Sequence, residues 1–213
     1  MTTVLLTGFE PFEGESINPS LEAVKALDGV AVEDYHIIAK PLPTVFGESI
    51  AKLHTYIEEI SPSIVICVGQ AGGREGITVE RVAINVDDAR IPDNIGQQPI
   101  DRSIIENGPA AYFSTLPIKA AVENLRQAGI PSSVSQTAGT FVCNHVFYGL
   151  MNMIQNCSIK GGFVHIPYLP EQAVKHPGKA SMLLDLIVRG LLSVVKTTIL
   201  VEEDVVVSGG ATH

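Results

Sequence analysis

The chain has 213 residues, 46% hydrophobic and 17% charged, a composition that builds one substantial core and excludes a disordered or fibrous chain. Lys and Arg number 14 against 23 Asp and Glu, a net charge of −9 with no basic run, which excludes a phosphate backbone as the expected partner. Three scattered cysteines, Cys67, Cys143 and Cys157, form no CxxC pair and exclude a disulfide framework or a zinc site.

In chain order, MTTVLLTGFEPF has no basic segment ahead of its short apolar run, unlike a signal peptide. TTVLLTGF reads as a buried first strand ended by Gly8. Asn18-Pro19 reads as a helix start, with Asn capping and Pro at the first helical position, and Leu21, Val24 and Leu27 keep helical spacing up to Gly29. AVEDYHIIAKPLP is the second strand. From Thr44 to Ile60 the residues Phe46, Ile50, Leu53, Ile57 and Ile60 share one helical face. SIVICVG, apolar throughout, has the pattern of a central parallel strand.

Residues 76–86 read as one further strand and 87–116 as a long irregular connection rich in Asp, Pro, Asn and Gly, the kind of loop that is functional or disordered. A helix (117–129), a short strand (132–136), a helix opening near Cys143, a strand (GGFVHIP) and a long C-terminal helix follow. That last apolar stretch carries Asp185, Arg189 and Lys196, which a bilayer span does not tolerate cheaply, and Asp185 and Arg189 have the spacing of a helical ion pair. The expectation is a single α/β domain over 1–213, with a largely parallel, mixed central sheet sandwiched between helices and a frayed tail at 208–213. A cytoplasmic location follows from the cysteine usage and the absent leader. The slightly positive mean hydropathy points to apolar surface buried between subunits.

Ligands in such folds sit beyond the carboxyl ends of the strands. Cys143 falls in the first turn of its helix, just after Ala138-Gly139-Thr140. Unpaired N–H groups there favour a thiolate and can receive an oxyanion. The competing reading places Cys143 in the apolar stripe of Val142, Val146, Phe147, Leu150, Met151 and Ile154. A nucleophile needs a base. His145 is rotated roughly 200° away on the helix, whereas His165 sits near the carboxyl end of a strand that stops at a proline. Glu80 interrupts an otherwise apolar strand and needs a partner; Arg81 points to the opposite face, and a histidinium fits. The glycines of VGQAGGREG match neither dinucleotide nor P-loop spacing.

TGFEPFEGESINPS, GITVERVAINVDDARIPDN and AGTFVCNHVFYGLM, in this order, resemble the pyroglutamyl peptidase type I family over nearly the whole chain. The resemblance implies a cysteine peptidase with an α/β/α sandwich, acting on the N-terminal pyroglutamate of peptides, without metal or organic cofactor, as a homotetramer. It carries the nucleophile to Cys143, the histidine to His165 and the acid to Glu80. It puts Arg90 near the thiolate and the developing oxyanion, and the ring pocket on Phe9, Phe12, Thr44, Gln70, Ile91, Phe141 and Val142. Glu13 departs from the family's glycine beside the pocket motif. The rival expectations are a phosphate-dependent nucleoside phosphorylase-like enzyme, with Gly72 and Gly73 holding phosphate, and a binding module in which Cys143 is core.

Overall fold

The computed structural model describes residues 2–210. Its elements run β1 (Thr2–Phe9), α1 (Pro19–Lys25), β2 (Ala31–Val32), β3 (Tyr35–Leu42), α2 (Glu48–Ile60), β4 (Ile64–Gln70), β5 (Ile77–Glu80), β6 (Val82–Ile84), β7 (Ala111–Phe113), α3 (Ile118–Gln127), β8 (Ser132–Ser135), α4 (Val142–Ile154), β9 (Lys160–Ile166), α5 (Pro170–Ala173) and α6 (Leu184–Leu200). The main sheet has the order β2-β3-β1-β4-β9-β5-β8. Strands β3, β1, β4 and β9 are parallel to one another. Strand β5 runs antiparallel to β9 and β8 runs parallel to β5, so these two oppose the four parallel strands, as does the short edge strand β2.

Each face of the sheet carries its own core. Val4, Leu6, Val68, Val79 and Val164 pack with α1, α3 and α6. Leu5, Cys67 and Phe163 pack with α2 and α4 on the other face. This is the α/β/α sandwich expected from the alternation of strands and helices. Strand order reverses at β1, which has β3 on one side and β4 on the other. Ligand crevices of open α/β sheets form at such a reversal, and Phe9 and Gln70 end the two strands there.

Local chemistry accounts for the element boundaries. Asn18 caps α1, its Oδ1 accepting from Ser20 N at 3.1 Å, with Pro19 at the first position. The stretch 31–43 contains a short hairpin, turning through Glu33 at φ 52°. The segment 76–86 divides into two strands. Arg81 N still donates to Ser135 O beside β8, but Arg81 O accepts from Ser114 N. From there β6 pairs with β7 in a separate two-stranded sheet. The Arg81 guanidinium leaves the sheet for Gln136 Oε1 and Gly209 O, so the chain changes partners at the one residue whose side chain cannot be buried.

Residues 87–116 are ordered as well. The Asp93 carboxylate accepts from Phe46 N, Ile95 N and Gln97 N. Asp87 and Arg102 exchange backbone hydrogen bonds. The loop is thus held by one buried side chain and the strand-like exchange at Asp87, which periodicity does not register.

In α6, Asp185 and Arg189 form no ion pair; Asp185 sits in the first turn, where its charge suits the helix dipole. Of the tail expected to fray, Gly209 O accepts from Arg81 and Gln136, so this part of it is tied to the sheet edge. Residues 211–213 lie outside the described residues. No described helix is long and apolar enough to cross a membrane.

Helix α3 begins after Pro117, whose side chain cannot cap it. The Asp204 carboxylate, from beyond α6, accepts from Lys119 N at 3.0 Å and Ala120 N at 2.8 Å. Asp204→Ala is expected to lower unfolding free energy by about 1 kcal/mol in urea titrations; unchanged stability would mean that water serves those N–H groups equally well.

Candidate active site

Cys143 is the second residue of α4. The turn before it is set by Gly139 at φ +79°, by Gly139 N donating to Thr137 Oγ1, and by Thr140, which exchanges hydrogen bonds with Asp88. The N-cap residue Phe141 supplies no side-chain acceptor. The first-turn N–H groups therefore remain available for a negative charge beside the thiol. The helix start is pinned from behind. Asn144 binds Ile84 N and O and Val86 O. The His145 ring meets Asp87 Oδ2 at 2.8 Å and accepts from Gly47 N at 2.9 Å. His145 thus has a structural task and points away from the thiol, as its helical rotation requires.

Three strands present the partners of Cys143 on one face of the sheet. Gly69 of β4 lies beside His165 of β9, and Thr78 of β5 lies on its other side. Glu80, two residues on, is on the same face and reaches diagonally across the strand pair. The His165 Nδ1 to Glu80 Oε1 distance is 2.7 Å. Glu80 has 0% exposure and His165 3%. Nδ1 therefore carries the proton that Glu80 accepts, which leaves Nε2 as the basic nitrogen. Cys143 and His165 line one cavity with no hydrogen bond between them, a spacing common before substrate closes a site.

Burial raises the Glu80 carboxyl, but the hydrogen bond and charge of His165, with Arg74, outweigh it and hold the group below its ordinary value. Burial also lowers the His165 imidazole, against Glu80 and with the help of Arg74. The Cys143 thiol is pushed up to about 12 by burial and by the Glu80 charge, with Arg74 opposing. The helix dipole works against that rise but is worth about 1 kcal/mol at a helix end, less than the burial effect. These influences favour a thiol and a neutral imidazole in the resting site.

The cavity has a volume of about 270 Å3 and is mostly apolar. Of the expected ring-pocket residues, Phe9, Phe12, Thr44, Gln70, Phe141 and Val142 line it together with Cys143 and His165. Phe12 and Phe46 pack on Phe141 at 6.2 and 5.3 Å between ring centres. Gln70 is oriented by a relay: Leu169 N donates to Gln172 Oε1, and Gln172 Nε2 donates to Gln70 Oε1. That leaves the Gln70 side-chain N–H groups for a ligand.

Ile91 and Arg90 are not in this cavity. They line an adjoining hollow that shares Phe12, Gln70 and Phe141 with it, alongside Glu13 and Tyr168, and Arg90 is exposed. The guanidinium that lines the Cys143 cavity belongs to Arg74. It donates to Glu80 Oε1, to Thr78 Oγ1 and to Thr137 O. Sequence reasoning missed Arg74 by treating QAGGREG as a question about glycines. The available signal was a mid-strand carboxylate in need of a cation, with an arginine six residues before it. Gly72 serves close approach: a Cβ there would fall 2.1 Å from the Tyr168 ring. The turn is thus filled by an aromatic side chain, which leaves the phosphate reading without support. Among the described residues no cluster of three or more His, Cys, Asp or Glu stands in position to hold a metal.

The Cys143 sulfur requires a glycine at position 69. A Cβ on it would stand 2.8 Å from Cys143 Sγ and 2.8 Å from Phe163 Cζ. Gly69→Ala is expected to displace Sγ and to cost roughly 100-fold in any reaction at that sulfur, measured as kcat/KM or as the rate of alkylation. A wild-type rate would show that the sulfur has another seat.

The family model described as pyroglutamyl peptidase matches residues 2–201. A pyrrolidone-carboxylate peptidase of Escherichia fergusonii is 61% identical over 214 residues, covering all of both chains. One of Bacillus cereus is 60% identical over 215 residues, again with full coverage. Among solved structures, pyroglutamyl peptidase I of Bacillus amyloliquefaciens superposes with a TM-score of 0.93 at 52% identity, covering 96% of this chain and 100% of that one. A mutant pyrrolidone carboxyl peptidase of Pyrococcus furiosus gives 0.89 at 39% identity, with 93% and 98% covered.

Proposed function

This chain belongs to the pyroglutamyl peptidase family of cysteine-type hydrolases, and from that premise we propose that it cleaves the amide bond after an N-terminal pyroglutamyl residue, with Cys143 as nucleophile. The observation that carries the reading is the constellation itself. A thiol at a helix start and a carboxylate-oriented imidazole open onto one small apolar-walled cavity.

Pyroglutamate is a neutral lactam without an N-terminal charge. Phe9, Phe12, Phe141 and Val142 suit its ring, and the Gln70 amide suits its carbonyl. His165 Nε2 takes the thiol proton as Sγ attacks the scissile carbonyl carbon. The oxyanion is received by first-turn N–H groups of α4, with Arg90 adding positive potential from the adjoining hollow. Imidazolium, stabilised by Glu80, gives the proton to the leaving amine as the C–N bond breaks and a thioester remains. Water, deprotonated by the same nitrogen, hydrolyses the thioester and restores the thiol.

The reading extends to the assembly and its place. The whole chain works as one peptidase domain in a homotetramer, supported by exposed apolar side chains such as Ile95, Ile100, Phe113 and Leu183, each at least 60% exposed. It acts in the cytoplasm, where free thiols stay reduced, and without a cofactor.

The test is amine release from a pyroglutamyl amide and from the matching prolyl amide, which lacks the lactam carbonyl. The pyroglutamyl amide is expected to be cleaved at least about 1,000-fold more efficiently, and Cys143→Ala to lose at least about 1,000-fold in kcat. Equal cleavage of both amides would sink the lactam reading. An alanine variant with wild-type turnover would sink the nucleophile.

A further inference from the structure

We propose that Arg74 is a positioning residue for this reaction: it holds Glu80, and through Glu80 the His165 imidazole, while fastening the turn that leads into Cys143 to the same acid. The proposal rests on the roles given to Cys143, His165 and Glu80 above.

The guanidinium joins three segments that carry the site. One fork nitrogen donates to Glu80 Oε1 at 2.5 Å and to Thr78 Oγ1, both on β5. The other donates to Thr137 O at 2.9 Å, in the turn before α4. Arg74 itself follows β4, whose last residue is Gln70. A planar fork serves both directions at once; an ammonium is a point charge and serves one. Glu80 Oε1 thus takes two charged or polar donors, while Oε2 is buried with no partner.

The charges make the arrangement necessary. Among the described residues Arg74 and His165 are the basic groups paired with Glu80, so while the imidazole is neutral Arg74 alone supplies formal positive charge there. Without it, a carboxylate at 0% exposure with one unsatisfied oxygen would take up a proton. A protonated Glu80 donates to Nδ1 and moves the imidazole proton to Nε2. That tautomer cannot accept the thiol proton, a fault that leaves the geometry intact and removes the base.

The pH consequence has a definite sign. The charged groups acting on His165 are Glu80 from β5 and Arg74 from the turn after β4; Thr78 is its cross-strand neighbour on β5 and Cys143 of α4 shares its cavity. Arg74 lowers both Glu80 and His165. Its removal raises both, so the active form, with Glu80 ionised and His165 neutral, is reached only at higher pH.

The experiment compares wild type, Arg74→Gln and Arg74→Lys by the pH profile of kcat/KM on a pyroglutamyl amide and by 15N NMR of the His165 ring. In Arg74→Gln the acid limb is expected to move up by about one pH unit, with kcat falling more than KM changes, and the ring to shift toward the Nε2–H tautomer. Arg74→Lys is expected to restore the limb but not the full kcat, because the Thr137 contact is lost. An unmoved limb or an unchanged tautomer in Arg74→Gln overturns the proposal. Should that variant fail to fold, wild-type kcat in Arg74→Lys overturns it, and a reduced kcat with the limb in place supports it. The NMR readout needs no turnover, so an inactive wild type would count against the proposed function while Arg74 is still judged.

Discussion

Glu80 is a carboxylate with no exposed surface, and the site is arranged around satisfying it. Such a group is stable in a protein interior only when charged or hydrogen-bonding neighbours replace the water it has lost. Here two neighbours converge on one oxygen, the His165 ring and the Arg74 fork. The first contact gives the imidazole its orientation and tautomer. The second compensates the charge while the imidazole is neutral. Both also tie backbone to the site: His165 is the penultimate residue of β9 and lines the cavity, and Arg74 reaches the carbonyl of Thr137, which lines it too. The Cys143 thiol, the His165 imidazole and the walls of the pocket thus share a reference point that solvent does not reach.

The sheet makes this convergence possible. With β5 running against β9, Thr78 stands opposite His165 and Glu80 reaches it along the diagonal. On the other side of β9, Gly69 leaves open the space that the thiol occupies. Helix α4 then descends onto this face with its first turn toward the strand ends. Its position is set by Asn144 and His145, the two residues after the cysteine, whose side chains grip the segment 84–87. The sequence CNH therefore encodes the cavity's thiol followed by the two clamps that hold its helix.

Much of this was legible in the amino-acid order. The apolar run SIVICVG, the Asn18-Pro19 start of α1, a cysteine just after a glycine turn and a histidine near the end of a strand are local signals. Each survives into the structure because burial and capping act over a few residues. The lone glutamate in an apolar strand announced that it needed a partner, although only one of its two partners was named. Contacts across long stretches of chain were illegible. Thr137 and Arg74 are 63 residues apart and Asp93 and Phe46 are 47 apart, and no periodicity records such pairs. The break at Arg81 was hidden for a related reason. A continuous β pattern does not say which strand each half will pair with, and β7 lay inside a stretch read as irregular. Arg90 and Ile91 belong to the recognised motif, yet they line the hollow next to the cavity, which shares Phe12, Gln70 and Phe141 with it.

The central claim is that Cys143, and neither of the other cysteines, carries the reaction. Cys67 is buried in β4 with its thiol pushed up to about 12 by burial, and Cys157 is exposed beyond α4. Iodoacetamide labelling followed in time, with each cysteine quantified by mass spectrometry and amine release from a pyroglutamyl amide measured on the same samples, separates the three. Turnover should fall in step with carboxamidomethylation of Cys143 while Cys157 is modified without loss. Full modification of Cys143 with turnover intact would contradict the account, and so would inactivation that tracks Cys157 alone.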